Sequence, residues 1–168
     1  MRPLVSFIAL FFALTVSAGE DLRVGLPKDY KETYTEYLSL DRIQNHDQFI
    51  RLFANDVAMK GADENGELLS GSVIVAEIYS VKKNEDGSVA KSLVNRRVKD
   101  KLLLLGVMEK QDGFAETSPS KINVGDWDFA AFKPNGDVAP KDLDTCRACH
   151  APLTQTDFLF TTQHLPKR

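Results

Sequence analysis

The sequence predicts an α+β domain, mainly an antiparallel β-sheet with short flanking helices. Three observations carry that prediction. Val73, Ile74, Val75, Ile78, Tyr79 and Val81 make Gly71–Val81 a run of β-formers with few good helix residues among them. Two further β stretches follow, at Lys101–Glu109 and Asp126–Phe132. Turn signals bound them: Asn84-Glu85-Asp86-Gly87, Asp112-Gly113 and Pro134-Asn135-Gly136-Asp137. Successive strands divided by tight turns are expected to pair antiparallel.

Residues 1–18 read as an export signal. Arg2 gives a positive start, Leu4–Leu14 an apolar stretch, and Val16-Ser17-Ala18 a small-residue cleavage site ahead of Gly19. The apolar run is shorter than the ~20 residues a membrane span needs, which disfavours an uncleaved anchor. The expectation is cleavage near Ala18, one domain over residues 19–168, and a periplasmic protein with no membrane attachment afterwards. The 168-residue chain carries 21 basic and 24 acidic residues, net −3, and loss of the signal moves this to about −4. An acidic balance argues against nucleic acid as a partner.

The elements follow in order. Tyr30, Tyr34, Tyr37 and Leu38 recur at helical spacing after Pro27, predicting an amphipathic helix to about Leu40. Gln48–Ala54 suits a strand, although Phe49, Leu52 and Phe53 would also share a helix face. The strand is preferred, followed by a short helix over Asp56–Lys60 and a turn-rich loop at Asp63–Glu67. In the Gly71–Val81 strand, alternation puts Ser72, Ile74, Ala76 and Ile78 on one face, and Val73, Val75, Glu77 and Tyr79 on the other. Trp127 reads as core. Asp142 or Asp144 is a candidate N-cap for a short helix over Cys146–His150 that Pro152 helps to end. Phe158-Leu159-Phe160 is expected as a last strand or as a strap.

Cys146-Arg147-Ala148-Cys149-His150 contains the only 2 cysteines of the chain. Cys-x-x-Cys-His is the attachment signature of a c-type haem. Each thiol can form a thioether with a haem vinyl group, and the adjacent imidazole of His150 can bind the iron. Two other readings compete: a thioredoxin-like redox pair, which needs a βαβ context not apparent here, and a zinc site completed by His164. The export signal favours haem, because c-type haem is attached outside the bacterial cytoplasm. One covalently attached haem c is therefore expected, with His150 as the metal ligand. Class I electron-transfer cytochromes carry this motif near the N-terminus and a ligating methionine downstream, and no methionine follows His150.

Haem attachment near the C-terminus and a β-rich middle together resemble the cytochrome P460 family, which includes the β-sheet cytochromes c′ (the c′-β type). The matching segments are Leu26–Tyr30, Arg51 in its β segment, Gly71–Glu77, Gly125–Phe129, the haem motif, and Thr156–Thr161. The resemblance implies a pentacoordinate haem with His150 proximal, a largely apolar distal side, and a homodimer. Catalytic P460 proteins oxidise hydroxylamine, with a lysine cross-linked to the porphyrin as their hallmark. That lysine's position is Ala76 here, which has no amine to form the bond. A distal carboxylate of the family falls near Gly106, and Glu109, the nearest acid, is not assigned that role.

If the strand face bearing Ala76 looks at the haem, Ile74 and Ile78 flank it, with Phe49, Phe53, Phe129 and Phe132 as candidates to complete the wall. An apolar pocket favours NO or CO over O₂, which gains more from hydrogen-bond donors. Met59, Met108, His46, His164 and the lysines are the candidates for a sixth ligand, and an open or water-filled position is favoured. Arg51 is a candidate to neutralise a haem propionate or to enter the distal pocket, with a surface position as the alternative. Arg96–Lys101 could dock an acidic redox partner, or form a solvated strand edge. The expected function is binding of NO or a similar diatomic gas, with a place in nitrogen-oxide detoxification. The alternatives are a periplasmic electron carrier and a hydroxylamine-oxidising enzyme without the cross-link. Enzymatic activity stays open; were the chain an enzyme, it would be an oxidoreductase acting on hydroxylamine or NO.

Overall fold

The computed structural model describes residues 22–168. The export-signal reading of residues 1–18 lies outside them. Five strands form one antiparallel sheet in chain order: β1 (Thr35–Asp41), β2 (Gln48–Ala54), β3 (Val73–Val81), β4 (Lys99–Lys110) and β5 (Trp127–Phe132). Helix α1 is a single turn, Tyr30–Thr33, and α2 spans Leu143–His150. The β-rich prediction with short flanking helices therefore matches the architecture. None of the described helices is long and apolar enough to cross a membrane.

Alternation along the strands gives the sheet two unlike faces. One face contributes Ala54, Ile74, Met108, Phe129 and Ala131 to a core shared with Trp127, Leu143 from α2 and Leu159. The other contributes Phe53, Val73, Val75, Leu105, Val107, Ala130 and Phe132, covered by Val24 and Tyr30. The site belongs to the first face, because α2 packs there against β5.

Two predicted elements differ, and a third takes one of its two expected forms. The helix expected to run to Leu40 stops after Thr33, and residues 35–41 become β1. Tyr34 is already extended, with ψ 150°. β-Branched Thr33 and Thr35 are poor helix residues, and the edge of β2 offers a ladder in which Thr35 faces Ala54 and Asp41 faces Phe49. The tyrosines still pack inward, but Tyr34 joins the second core and Tyr37 the first. The helix expected over Asp56–Lys60 shrinks to a 3₁₀ turn, Ala58–Lys60. Asn55 Oδ1 accepts the amides of Ala58 and Val73 at 2.9 and 3.1 Å, so its side chain competes with a longer helix. Phe158–Phe160 is no strand: it is a strap between 3₁₀ turns at Thr154–Thr156 and Thr162–His164.

Candidate functional site

Helix α2 presents the Cys-x-x-Cys-His motif. Asp142 starts it by accepting the Asp144 amide at 2.9 Å. Cys146 and Cys149, three residues apart, share a helix face, and both line one cavity together with His150. Neither cysteine is in a disulfide, and burial raises the Cys146 thiol above its ordinary pKa. Arg147 anchors the helix instead. Only 2% exposed, it donates to Asp144 Oδ1 and to Asp128 Oδ1 of β5, each at 2.8 Å. Asp128, 3% exposed, also accepts from Arg23 Nε at 2.7 Å. Breaking a buried pair of this kind by removing one partner costs about 3–5 kcal/mol. An intervening residue of the motif thus fixes the motif's helix to the sheet.

The cavity holds about 530 Å³, within the roughly 300–1,000 Å³ range of cofactor sites. The strands line it with Leu40, Ile50, Leu52, Ile74, Ile78 and Leu104, and α2 and the strap with Cys146, Cys149, His150, Leu159 and Phe160. Its polar lining comprises Tyr37, Arg42, Gln44, Gln48, Lys141, Thr145, Thr161, Gln163 and His164, much of it solvent-exposed. Gly106 also lines it and stands opposite Ala76 in the β3–β4 ladder. A Cβ on Gly106 would sit 3.8 Å from that of Ala76, so this pair of small residues keeps the wall low.

His150 Nδ1 lies 2.7 Å from the Phe158 carbonyl oxygen. A carbonyl only accepts, so Nδ1 carries the proton and Nε2 keeps its lone pair. The rings of Phe129 and Phe160 meet the imidazole edge-on, each with centroids 5.1 Å away. Burial lowers its pKa, partly opposed by the Phe158 hydrogen bond and reinforced by the charge of Arg42. The neutral form is thereby favoured, and neutral imidazole is the form that binds a metal.

The predicted residues do not all converge. Cys146, Cys149, His150, Ile74 and Ile78 line the cavity, and Ala76 lies between the two isoleucines on the same face of β3. Arg51 does not line it. It stands opposite Glu77 in the β2–β3 ladder, on the other face of the sheet, and its guanidinium binds Glu36 and Glu77. The propionate or distal role expected for Arg51 is therefore corrected; Arg42 and Lys141 are the cations at the cavity. Of the four phenylalanines proposed for the wall, only Phe129 lines it. Phe53 and Phe132 belong to the opposite core, and Phe49 lines a surface depression with Arg51 and Arg96. Met108 and His164 reach the cavity, Met59 packs beside its core, and His46 bonds to Arg97. Among the described residues, no three His, Cys, Asp or Glu side chains converge as a metal-ion site.

Sequence reasoning missed Leu40, Ile50, Leu52 and Leu104. For β2 the signal was present: residues alternating with Arg51 had to share one face. It also missed that Glu77 is fully buried, accepting from the hydroxyls of Tyr30 and Tyr79, each at 2.7 Å. Burial pushes this carboxyl up, but bonds from Tyr79 and Tyr30 and the charge of Arg51 outweigh it, leaving the pKa lowered.

Two thiols on one helix face, an imidazole with a free Nε2, an apolar wall and cations at the polar lining fit a haem. Cys146 and Cys149 would hold its vinyl groups, His150 its iron, and Arg42 and Lys141 its propionates. Fold and site thus define a β-sheet haem protein. The chain belongs to the cytochrome P460 family, whose model matches residues 27–161. It is a haem protein of the cytochrome P460 kind, with haem as its cofactor. No curated protein matches the sequence.

Proposed function

We propose that this chain is an exported c-type cytochrome of the c′-β kind that binds NO or a similar diatomic gas. One haem is attached through Cys146 and Cys149, with His150 as the proximal ligand and the other face of the iron left open. Bound there, the haem supplies the coordination position for the gas. The protein supplies its surroundings, and one observation carries the reading: the strands line the cavity mostly with apolar side chains, Leu40, Ile50, Leu52, Ile74, Ile78 and Leu104 among them, with Tyr37 and Gln48 as the hydrogen-bonding side chains of the described strands there. The nearby Tyr37 hydroxyl is engaged with Thr161 Oγ1 at 2.8 Å. Such a wall favours NO or CO over O₂.

Hydroxylamine oxidation is the weaker reading. The position of the cross-link lysine is Ala76, the position near the family's carboxylate is Gly106, and the two face each other across β3 and β4. An electron carrier is the second reading, because Met108 and His164 both reach the cavity and either would be the second strong ligand that reading needs. A periplasmic location, a homodimer and an unidentified redox partner complete the proposal.

The absorption spectrum tests it. High-spin ferric and ferrous spectra that shift on adding NO support gas binding. A low-spin spectrum indifferent to NO favours the electron carrier. Denaturing mass spectrometry should find the chain plus one haem, joined at Cys146 and Cys149 only; a third linkage would contradict the role of Ala76.

A further inference from the structure

The strap after α2 contains a backbone arrangement that haem attachment alone does not require. Asp157 and Phe158 are consecutive non-glycine residues in the left-handed region, with φ 50° and 59°. L-residues adopt this conformation rarely, and aspartate and asparagine tolerate it best. The Asp157 carboxylate is buried and held from two directions. Lys110 Nζ donates to Oδ1 at 2.9 Å and to Oδ2 at 2.8 Å. The Leu68 amide donates to Oδ2 at 2.9 Å. Lys110 is the last residue of β4, an interior strand, so the strap is tied to the sheet. The next residue supplies the carbonyl that accepts from His150 Nδ1 at 2.7 Å. The Phe158 ring is seated against Gly125, where a Cβ would come within 2.8 Å of Cε2.

We propose that the Lys110–Asp157 ion pair is a positioning clamp for His150. It holds the strap so that the Phe158 carbonyl meets Nδ1, and so sets how strongly the imidazole donates to iron. The inference rests on the reading that His150 binds the haem iron. A hydrogen bond on the second ring nitrogen fixes the orientation of a ligating histidine and raises its basicity. Lys110 and Asp157 act through that bond and touch neither haem nor ligand.

Asp157→Asn keeps a residue suited to the left-handed turn, and an acceptor for Leu68, while removing the charge. Lys110→Gln removes the pairing from the sheet side, and Lys110→Arg retains it. In the haem-loaded ferrous protein, Asp157→Asn and Lys110→Gln should shift the iron–histidine stretching band to lower frequency and raise the reduction potential. Lys110→Arg should stay near the parent. Reduced thermal stability with band and potential unmoved in both variants overturns the clamp alone. If Asp157→Asn does not accumulate, Lys110→Gln decides by the same readouts. In a five-coordinate parent, absence of an iron–histidine band overturns His150 as ligand, and the clamp with it; in a six-coordinate parent the reduction potentials of the two variants decide.

Discussion

Strand β3 serves two unlike environments through alternate residues. Ile74, Ala76 and Ile78 lie on the face that lines the cavity. Val73, Val75, Glu77 and Tyr79 face a packed core in which a fully buried carboxylate has its donors supplied by Tyr30, Tyr79 and Arg51. The cavity face presents its side chains to the cofactor, and the opposite face packs into a core of its own. Stability and ligand binding should therefore separate by face, although the residues are neighbours in sequence.

The largest effect on stability is expected from the packed face. Glu77→Gln leaves Arg51 and two tyrosines without their shared anion and should cost about 3–5 kcal/mol in urea unfolding. A loss below about 1 kcal/mol would break the comparison. The pH dependence has a definite sign. The folded-state pKa of Glu77 is lowered from 4.5, so the unfolded chain binds more protons in the window below that value. Stability from this group is complete above pH 4.5 and lost as pH falls through the folded pKa, and Glu77→Gln should remove that part of the acid sensitivity.

A cavity-face change should do the reverse. Gly106→Val puts a branched side chain into the cavity wall, and it should weaken NO binding by roughly tenfold, or about 1.4 kcal/mol, with little loss of stability. Titration with NO and urea unfolding of the same sample separate the two quantities; an unchanged NO affinity would move the ligand away from this wall.

The smallest effect on the haem is expected at Arg51. Its ion pairs with Glu36 and Glu77 lie on the packed face, so Arg51→Gln, which leaves the buried Glu77 carboxylate without its guanidinium, should lower stability and leave the ferrous spectrum unchanged. A shifted spectrum would return Arg51 to the haem.

The same contrast explains what could be read from the sequence. That Cys146, Cys149 and His150 come together was legible because their spacing puts them on neighbouring positions of one helix, and all three line the cavity. β3 was legible because its β-branched run has one dominant conformation, and its alternation already separated Ile74 from Glu77. β1 was not. Tyr30, Tyr34 and Tyr37 fit a helical period, and only the free edge of β2, a tertiary fact, turned residues 35–41 into a strand. Arg51 was misplaced for a related reason: its face depends on its pairing with Glu77, which joins residues far apart in the chain. The carbonyl beneath His150 could not be read either, because it belongs to a left-handed turn at Asp157 and Phe158 rather than to any motif side chain.

The absorption spectrum of the ferrous protein before and after addition of NO decides whether the haem takes up the gas. A high-spin, five-coordinate spectrum should convert on adding NO. A low-spin, six-coordinate spectrum unchanged by NO would contradict it, and would make Met108 or His164 the residue to replace next.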